Sequence, residues 1–269
     1  MVDQLSGESF LTGPKNIEGK INQQQQEKAP FGERIIGVKD PRLMTKEEFD
    51  QSPEILYHGT SDPNFHYTPS YDYDSEEYIN SSDGSQTLGV GLYTTDDLYA
   101  AEQYSLVRKG PKGPPIPIIQ RFLPYNARMY DFRTADGKTN AFVPREFFDK
   151  WFEYFKEYYQ NLDRSKLPWF IKDMLEEYYL YLNTLARTNE QFDLRVMLGT
   201  APHPVLKSPN WPSPPYMRTF TNFMKSLGFD GLIYIEGGEG PNRKSHNSFV
   251  FYNLEKVGTY EYWQKNKFT

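Results

Sequence analysis

Short apolar runs, bounded by polar or glycine-rich segments, predict the strands of this protein. Residues 55–57 form an apolar run that ends in a polar tip at residues 58–60, which is typical of a short buried strand. The run at residues 89–95 opens with Gly89 and Gly91, and glycines allow a sharp turn or a close backbone approach. Further strands are predicted at residues 35–38, 118–123, 127–132, 232–235 and 248–252.

A helical spacing of aromatic residues predicts two long helices in the middle of the chain. Phe148, Phe152 and Phe155 fall on one stripe of a helix over residues 145–159. A second helix is predicted over residues 167–186, again with aromatic and leucine residues at helical spacing. We interpret the rings of both helices as packing residues and not as a cofactor site.

Shorter helices are predicted from their end signals. A capping-box pattern at Thr45 begins one helical turn. Asp96 is expected to be the N-cap of a helix over residues 98–106. Gly228 is expected to end a helix over residues 217–227 as a left-handed cap.

The order of these elements predicts an α+β fold. Strands lie on both sides of the helical middle, so they must meet in space to bury their apolar faces. We expect a domain over residues 34–269, with a mainly antiparallel sheet and a two-helix insertion at about residues 141–215. Residues 1–33 contain little apolar surface and a run of glutamines, so we expect a disordered tail there. The polar stretch at residues 61–86 is expected to be a functional or disordered loop.

Composition and charge exclude several classes of function. The chain has no cysteine, which excludes disulfides, thiol catalysis and cysteine zinc sites, and its 4 histidines show no metal-ligand spacing. The formal net charge is -6 without a dense basic stripe, so the charge does not indicate nucleic acid as a partner. No apolar run approaches the roughly twenty residues of a membrane span, and the first residues lack the pattern of a cleavable signal peptide. We expect a cytoplasmic protein with no membrane partner, or one delivered into a host cell without such a signal.

His58 at a strand end and Tyr93 beside a glycine turn suit a pocket for a flat ligand. Each residue also has a structural alternative. A lone histidine at a strand end is usually structural, and Tyr93 is one of 21 tyrosines, which by default pack in the core. The two glycines before Tyr93 could form a simple hairpin corner. Glu236 and Glu239 lie in a glycine-rich stretch, where carboxylates are by default solvated.

Five segments together resemble a known enzyme family. The sequence Tyr57-His58-Gly59-Thr60 and the run at residues 91–95, followed by Tyr104, resemble the first two signatures of ADP-ribosyltransferases of the diphtheria-toxin and poly(ADP-ribose) polymerase type. The small bacterial and phage members are the most similar branch. Three later segments follow the same pattern, and the resemblance covers most of the chain apart from the helical insertion. These segments are residues 118–131, 227–233 and 249–253.

The resemblance implies a split antiparallel sheet that binds NAD as a substrate, without a metal. The implied reaction cleaves the nicotinamide–ribose bond through an oxocarbenium-like state and transfers ADP-ribose to an acceptor, for which a macromolecule, in the first place a protein, is expected. His58 would bind the adenosine ribose, and the backbone of Gly59 would bind the nicotinamide amide. Tyr93 and Tyr104 would stack on the nicotinamide ring. Thr60 and Thr94 would contact a ribose or simply end their strands.

The third signature of the family departs from its usual form. Ser248 occupies the position where the family commonly has a glutamate, and a serine hydroxyl cannot carry the charge of a carboxylate. Glu236 or Glu239, just before it in the chain, could replace that acid. Two alternatives stay open: a degenerate member that binds NAD or ADP-ribose without turnover, and a protein-interaction module that docks a partner on residues 145–187.

Overall fold

The computed structural model describes residues 32–60, 87–107, 118–167, 169–188, 190–200, 216–237 and 244–267. These residues form an α+β fold in which eight strands belong to one mixed sheet. Residues 1–31 of the predicted tail, the predicted loop at 61–86 and Glu239 lie outside the described residues. Among the described residues, no helix is long and apolar enough to cross a membrane.

The sheet has the order β1-β5-β6-β7-β3-β2-β4-β8. Neighbouring strands are antiparallel, with the exception of β5 and β6, which run parallel. The prediction of a mainly antiparallel sheet is therefore confirmed. The strands are β1 (Glu33–Ile36), β2 (Leu56–Thr60), β3 (Leu92–Thr95), β4 (Ile118–Pro124), β5 (Ala127–Asp131), β6 (Gly231–Glu236), β7 (His246–Phe251) and β8 (Val257–Gly258).

The predicted helices are present, with small changes at their ends. The α-helices are α1 (Lys46–Asp50), α2 (Leu98–Val107), α3 (Arg145–Asn161), α4 (Trp169–Arg187), α5 (Leu194–Met197), α6 (Met217–Ser226) and α7 (Tyr260–Lys265). Short 3-10 helices lie at Pro41–Leu43, Arg164–Lys166 and Leu254–Lys256.

Three end signals decide where these helices start and stop. The capping box at Thr45 is confirmed, with reciprocal hydrogen bonds between Thr45 and Glu48. Gly228 has a φ of 81°, as the predicted left-handed cap requires. The prediction that Asp96 caps α2 is wrong, because the carboxylate of Asp97 accepts the hydrogen bond from the Ala100 N–H at 3.1 Å.

The two long helices of the insertion share one aromatic core with the sheet. Phe147 of α3 packs against Phe132 at the end of β5 and against Phe223 of α6, with ring centroids 5.3 and 5.5 Å apart. Trp151 meets Phe220 of α6 edge to face at 5.3 Å. The interpretation as packing residues is confirmed for these rings, which bury the face of the sheet that also carries part of the candidate site. It is wrong for Trp169 and Phe170 at the start of α4, which are 74% and 49% exposed.

Buried tyrosines in this core have partners for their hydroxyl groups. Tyr178 donates to the carbonyl of Met197 at 3.0 Å and accepts from the indole N–H of Trp151 at 3.1 Å. Tyr216 stacks on Tyr178 and donates to the carbonyl of Leu198. Burial raises the pKa of both tyrosines well above the ordinary value. These rings are therefore neutral, hydrogen-bonded core residues.

Candidate functional site

Strand β3 lies between β7, which carries Ser248, and β2, which carries His58. Thr95 at its end pairs with Ser248 of β7 on one side and with Tyr57 of β2 on the other. Directly paired residues of antiparallel strands point to the same face, and side chains alternate along each strand. The side chains of Thr95, Ser248 and Glu236 consequently share one face of the sheet, and Glu236 lies opposite His246 in the pairing of β6 with β7.

A hydrogen-bonded cluster forms on this face at the ends of β6 and β7. Ser248 is 3% exposed, and its hydroxyl donates to Oε2 of Glu236 at 2.7 Å. The hydroxyl of Tyr104, on α2, lies 3.3 Å from the same oxygen and 3.1 Å from Nε2 of His246. Three of the predicted site residues thus meet directly, although they are far apart in sequence.

Glu236 lies in a different place from the one that the sequence predicted. It is the last residue of β6 and not part of the glycine-rich loop, so strand pairing fixes its backbone beside Ser248. Its other oxygen, Oε1, has no hydrogen-bond partner within the described ranges. The carboxylate is half-buried, a setting in which its charge is screened less than in water.

The sequence does not predict His246 as a site residue, because its spacing to other histidines indicates no metal site. It lies two residues before Ser248 on the same strand, so strand alternation was the available signal for its orientation. Its ring meets the ring of Tyr104 edge to face, with centroids 5.5 Å apart. Its Nδ1 lies 3.4 Å from the carbonyl oxygen of Lys244.

His58 is fixed to β3 through the backbone. Its Nδ1 lies 2.7 Å from the carbonyl oxygen of Tyr93, and because a carbonyl only accepts, Nδ1 carries the proton. In a neutral imidazole this leaves Nε2 as an acceptor. Strand alternation places the His58 ring on the face opposite to Thr95 and Ser248, where its edge meets Phe122 at 6.4 Å.

The sheet opens between β2 and β3. Strand β2 pairs with β4 along its whole length, from Leu56 to Thr60. Its pairing with β3 within the described chain is limited to Tyr57 and Thr95. The backbone of Gly59 and Thr60 therefore leaves the ladder on the β3 side. This opening separates β2, which carries His58, from β3 and the strands beyond it, which include β6 with Glu236.

Gly59 has a packing reason to be glycine. A Cβ atom at this position would collide with the carbonyl oxygen of Ala101 in α2. The missing side chain lets α2 lie directly on β2, and Tyr104 projects from this helix toward Glu236. Gly59 thus helps to set the position of Tyr104, independently of any ligand that the Gly59 backbone binds.

Tyr93 and Thr94 both make contacts inside the fold. The Tyr93 hydroxyl donates to the Gly89 carbonyl at 2.8 Å and accepts from the Leu88 N–H at 3.0 Å, so the glycine turn holds one end of its half-buried ring. The Thr94 hydroxyl is buried and donates to the carbonyl of Phe249 at 3.2 Å. This contact agrees with a structural role for Thr94 in its strand and not with contact to a ribose. Thr60 is half-exposed.

A second polar network holds the same segment of β7 from the opposite face. Asn247 donates to the carboxylate of Asp96 at 2.6 Å and accepts from Arg133 at 3.0 Å. Arg133 is buried and forms an ion pair with Asp131 at 2.7 Å. These contacts join β7 to the loop before α2 and to the end of β5. They fix the backbone between His246 and Ser248 and hold the carboxylate of Asp96.

Burial controls the ionisation of the tyrosine beside Ser248. Tyr234 pairs with Ser248 across β6 and β7. Burial first, and then the charge of Asp193, raises the pKa of the Tyr234 hydroxyl. Tyr234 is therefore neutral near the carboxylate of Glu236. Nowhere in the part of the chain that the structure describes do three or more histidine or carboxylate side chains form a group that could hold a metal ion.

No protein-family model, curated protein or solved structure matches this chain. Its function is therefore inferred from its own residues and their geometry.

Proposed function

We propose that this protein is a mono-ADP-ribosyltransferase that cleaves NAD at the nicotinamide–ribose bond and transfers ADP-ribose to a macromolecular acceptor, in the first place a protein. The observation that carries the proposal is the contact between Glu236 and Ser248. It brings a carboxylate to the position where the resemblance alone left only a hydroxyl. Tyr104, the second predicted stacking residue, touches the same carboxylate oxygen.

The chemistry needs a negative charge next to the ribose. When the bond from C1′ of the ribose to the nicotinamide nitrogen breaks, the electron pair leaves with nicotinamide and positive charge develops on the ribose. A fixed carboxylate stabilises this charge without reorganisation of solvent, and such groups contribute about 100- to 1000-fold to the rate. Glu236 offers Oε1 for this purpose, since Oε2 already accepts from Ser248. The acceptor nucleophile then bonds to C1′ and loses its proton to a base or to solvent.

Binding would use the opening between β2 and β3. The backbone of Gly59, which leaves the ladder there, would pair with the amide of nicotinamide. His58 would accept a ribose hydroxyl at Nε2, because Nδ1 is committed to Tyr93. The rings of Tyr93 and Tyr104 would supply flat apolar surfaces, as expected for aromatic stacking. Holding the dinucleotide in one conformation is itself a large part of such catalysis.

A second candidate function is binding of NAD or ADP-ribose without turnover. The serine at position 248 favours this function. Of Ser248 and Glu236, only Glu236 carries a charge, and it lies on the strand next to the one where the family commonly has its glutamate. Calorimetry that detects NAD binding, together with no release of nicotinamide, would select this function over the first.

Labelled NAD tests the proposal. The protein is incubated with NAD labelled in the ADP-ribose part and with a cell lysate, and the label on protein is measured after washing. Label is expected with the wild type and is expected to be lost in His58→Ala and Tyr93→Ala. Tyr99→Phe, a change at an exposed position of α2, is the control that should retain it. Absence of both transferred label and free nicotinamide would refute the enzymatic proposal.

A further inference from the structure

The hydroxyl of Tyr104 has a single proton, and two side chains in the described part of the chain compete for it. Oε2 of Glu236 lies 3.3 Å away and Nε2 of His246 lies 3.1 Å away. A carboxylate has no hydrogen and can only accept. If Tyr104 donated to His246, the lone pairs of its oxygen would face the carboxylate without a hydrogen between them.

One assignment of hydrogens satisfies all of these atoms when Glu236 is a carboxylate. Nε2–H of His246 donates to the oxygen of Tyr104, and the Tyr104 hydroxyl donates to Glu236, which also accepts from Ser248. Nδ1 of His246 lies 3.4 Å from the carbonyl oxygen of Lys244, which is longer than an ordinary N–H···O hydrogen bond. The shorter contact with Tyr104 therefore decides which ring nitrogen carries the proton. The side chains thus form a directed chain from His246 through Tyr104 to Glu236.

We infer that His246 is a positioning residue, which acts on the substrate site through Tyr104. Its N–H directs the Tyr104 hydroxyl onto Glu236, and its ring supports the Tyr104 ring edge to face at 76° between the ring planes. Tyr104 needs such support, because it is 43% exposed and projects from α2. The inference deepens the proposed function, and its role in catalysis rests on that proposal.

The predicted effect of His246 is on binding more than on bond cleavage. Loss of its hydrogen bond leaves the Glu236–Ser248 contact in place but lets the Tyr104 ring move, and this ring would stack on nicotinamide. His246→Ala is expected to raise KM for NAD about fivefold, the size of one hydrogen bond of ordinary strength, with kcat changed less than about twofold. His246→Gln, which retains a side-chain N–H donor, is expected to recover most of the loss.

Nitrogen NMR on the full chain tests the contact itself and does not depend on turnover. The protein carries ¹⁵N-labelled histidine, and the signals of His246 are assigned from their loss in His246→Gln. In the wild type, Nε2 of His246 is expected to show the shift of a protonated nitrogen. Tyr104→Phe is expected to move that signal, whereas Tyr99→Phe, on the exposed side of the same helix, leaves it in place.

The outcomes separate the two proposals. An unprotonated Nε2, or a His246 signal that Tyr104→Phe does not move, would overturn the positioning role. The positioning role would also be overturned if His246→Ala and His246→Gln lowered kcat and raised KM to the same extent, since that pattern indicates general damage to the fold. A wild-type protein that neither binds nor cleaves NAD would instead refute the proposed function. The NMR result would still show whether His246 donates a hydrogen bond to Tyr104.

Discussion

The hydroxyl of Ser248 donates a hydrogen bond of 2.7 Å to the carboxylate of Glu236 on the neighbouring strand. The two residues are 12 positions apart and lie on adjacent antiparallel strands, where pairing of β6 with β7 fixes their separation. The proposed function therefore takes from β6 the charge that the resemblance implies on β7. This relationship is the basis of the first prediction.

Moving the carboxylate to the Ser248 position is expected to preserve activity. In the double variant Glu236→Gln, Ser248→Glu, the acid returns to the strand where the family commonly has it. This variant should recover at least about a tenth of the wild-type rate of nicotinamide release, whereas Glu236→Gln alone should lose about 100-fold or more. Ser248→Ala alone should lose only about tenfold, because the carboxylate remains and loses one hydrogen bond.

Glu255→Gln, at an exposed position, is the control for loss of a negative charge. Thermal unfolding without NAD should be similar for Glu236→Gln, Ser248→Ala and Glu255→Gln. A Glu236→Gln protein that is as active as the wild type would contradict the assigned role of this residue.

His58→Ala is expected to weaken NAD binding by about tenfold. The substitution removes the Nε2 acceptor and also the hydrogen bond from Nδ1 to the carbonyl of Tyr93, and each such bond contributes about 1 kcal/mol. The measurement is the rise in Tm on addition of NAD, since a ligand that binds only the native state stabilises it. A rise in Tm equal to that of the wild type would show that His58 does not touch the ligand.

Gly59→Ala is expected to destabilise the fold by about 2–3 kcal/mol, because the new methyl group would force α2 away from β2 at the carbonyl of Ala101. Urea unfolding gives the free energy, and Thr60→Ala, at the next and half-exposed position, should cost less than about 1 kcal/mol. The same helix shift should weaken NAD binding through Tyr104. Unchanged stability would mean that the close contact between helix and strand is not needed.

Tyr130→Phe is expected to make the protein more resistant to alkali. Burial, together with the charge of Glu146, raises the pKa of Tyr130 from 10.0 to about 12. Between these values the folded protein keeps a proton that the unfolded chain has lost, so the free energy of unfolding falls as pH rises. Two pKa units correspond to about 2.7 kcal/mol over the whole titration, and the variant should lose about 2 kcal/mol less than the wild type between pH 10 and pH 12.

Other buried tyrosines, Tyr178 and Tyr252 among them, also have raised pKa values, so both proteins should still lose stability in alkali. The exposed Tyr99→Phe is the matched control, with the same loss as the wild type. Parallel stability curves for wild type and Tyr130→Phe would contradict the prediction.

The elements were largely predictable from the sequence because their signals are local. The apolar run before His58, the capping box at Thr45 and the aromatic stripe around Phe148 each reflect burial or hydrogen bonding within a few residues. Asp96 and Asp97 are both suitable caps by residue type, and the carboxylate of Asp96 instead accepts from Asn247, 151 positions away. Sequence pattern cannot supply that kind of information.

The candidate site was predictable in its members but not in its arrangement. The glycines after Glu236 indicated a loop, yet pairing with His246 extends β6 by one more residue. The contact between Tyr104 and His246 joins positions 142 residues apart, and no spacing rule connects them. The parallel pairing of β5 with β6 was also invisible, since it depends on the path through the helical insertion.

The most direct test of the central claim is the release of nicotinamide from NAD, followed by proton NMR with wild-type protein and with Glu236→Gln. The wild type is expected to produce nicotinamide steadily above the blank, and the variant about 100-fold more slowly. No release by the wild type, or equal release by the two proteins, would contradict the claim that Glu236, held by Ser248, makes this site an NAD-cleaving centre.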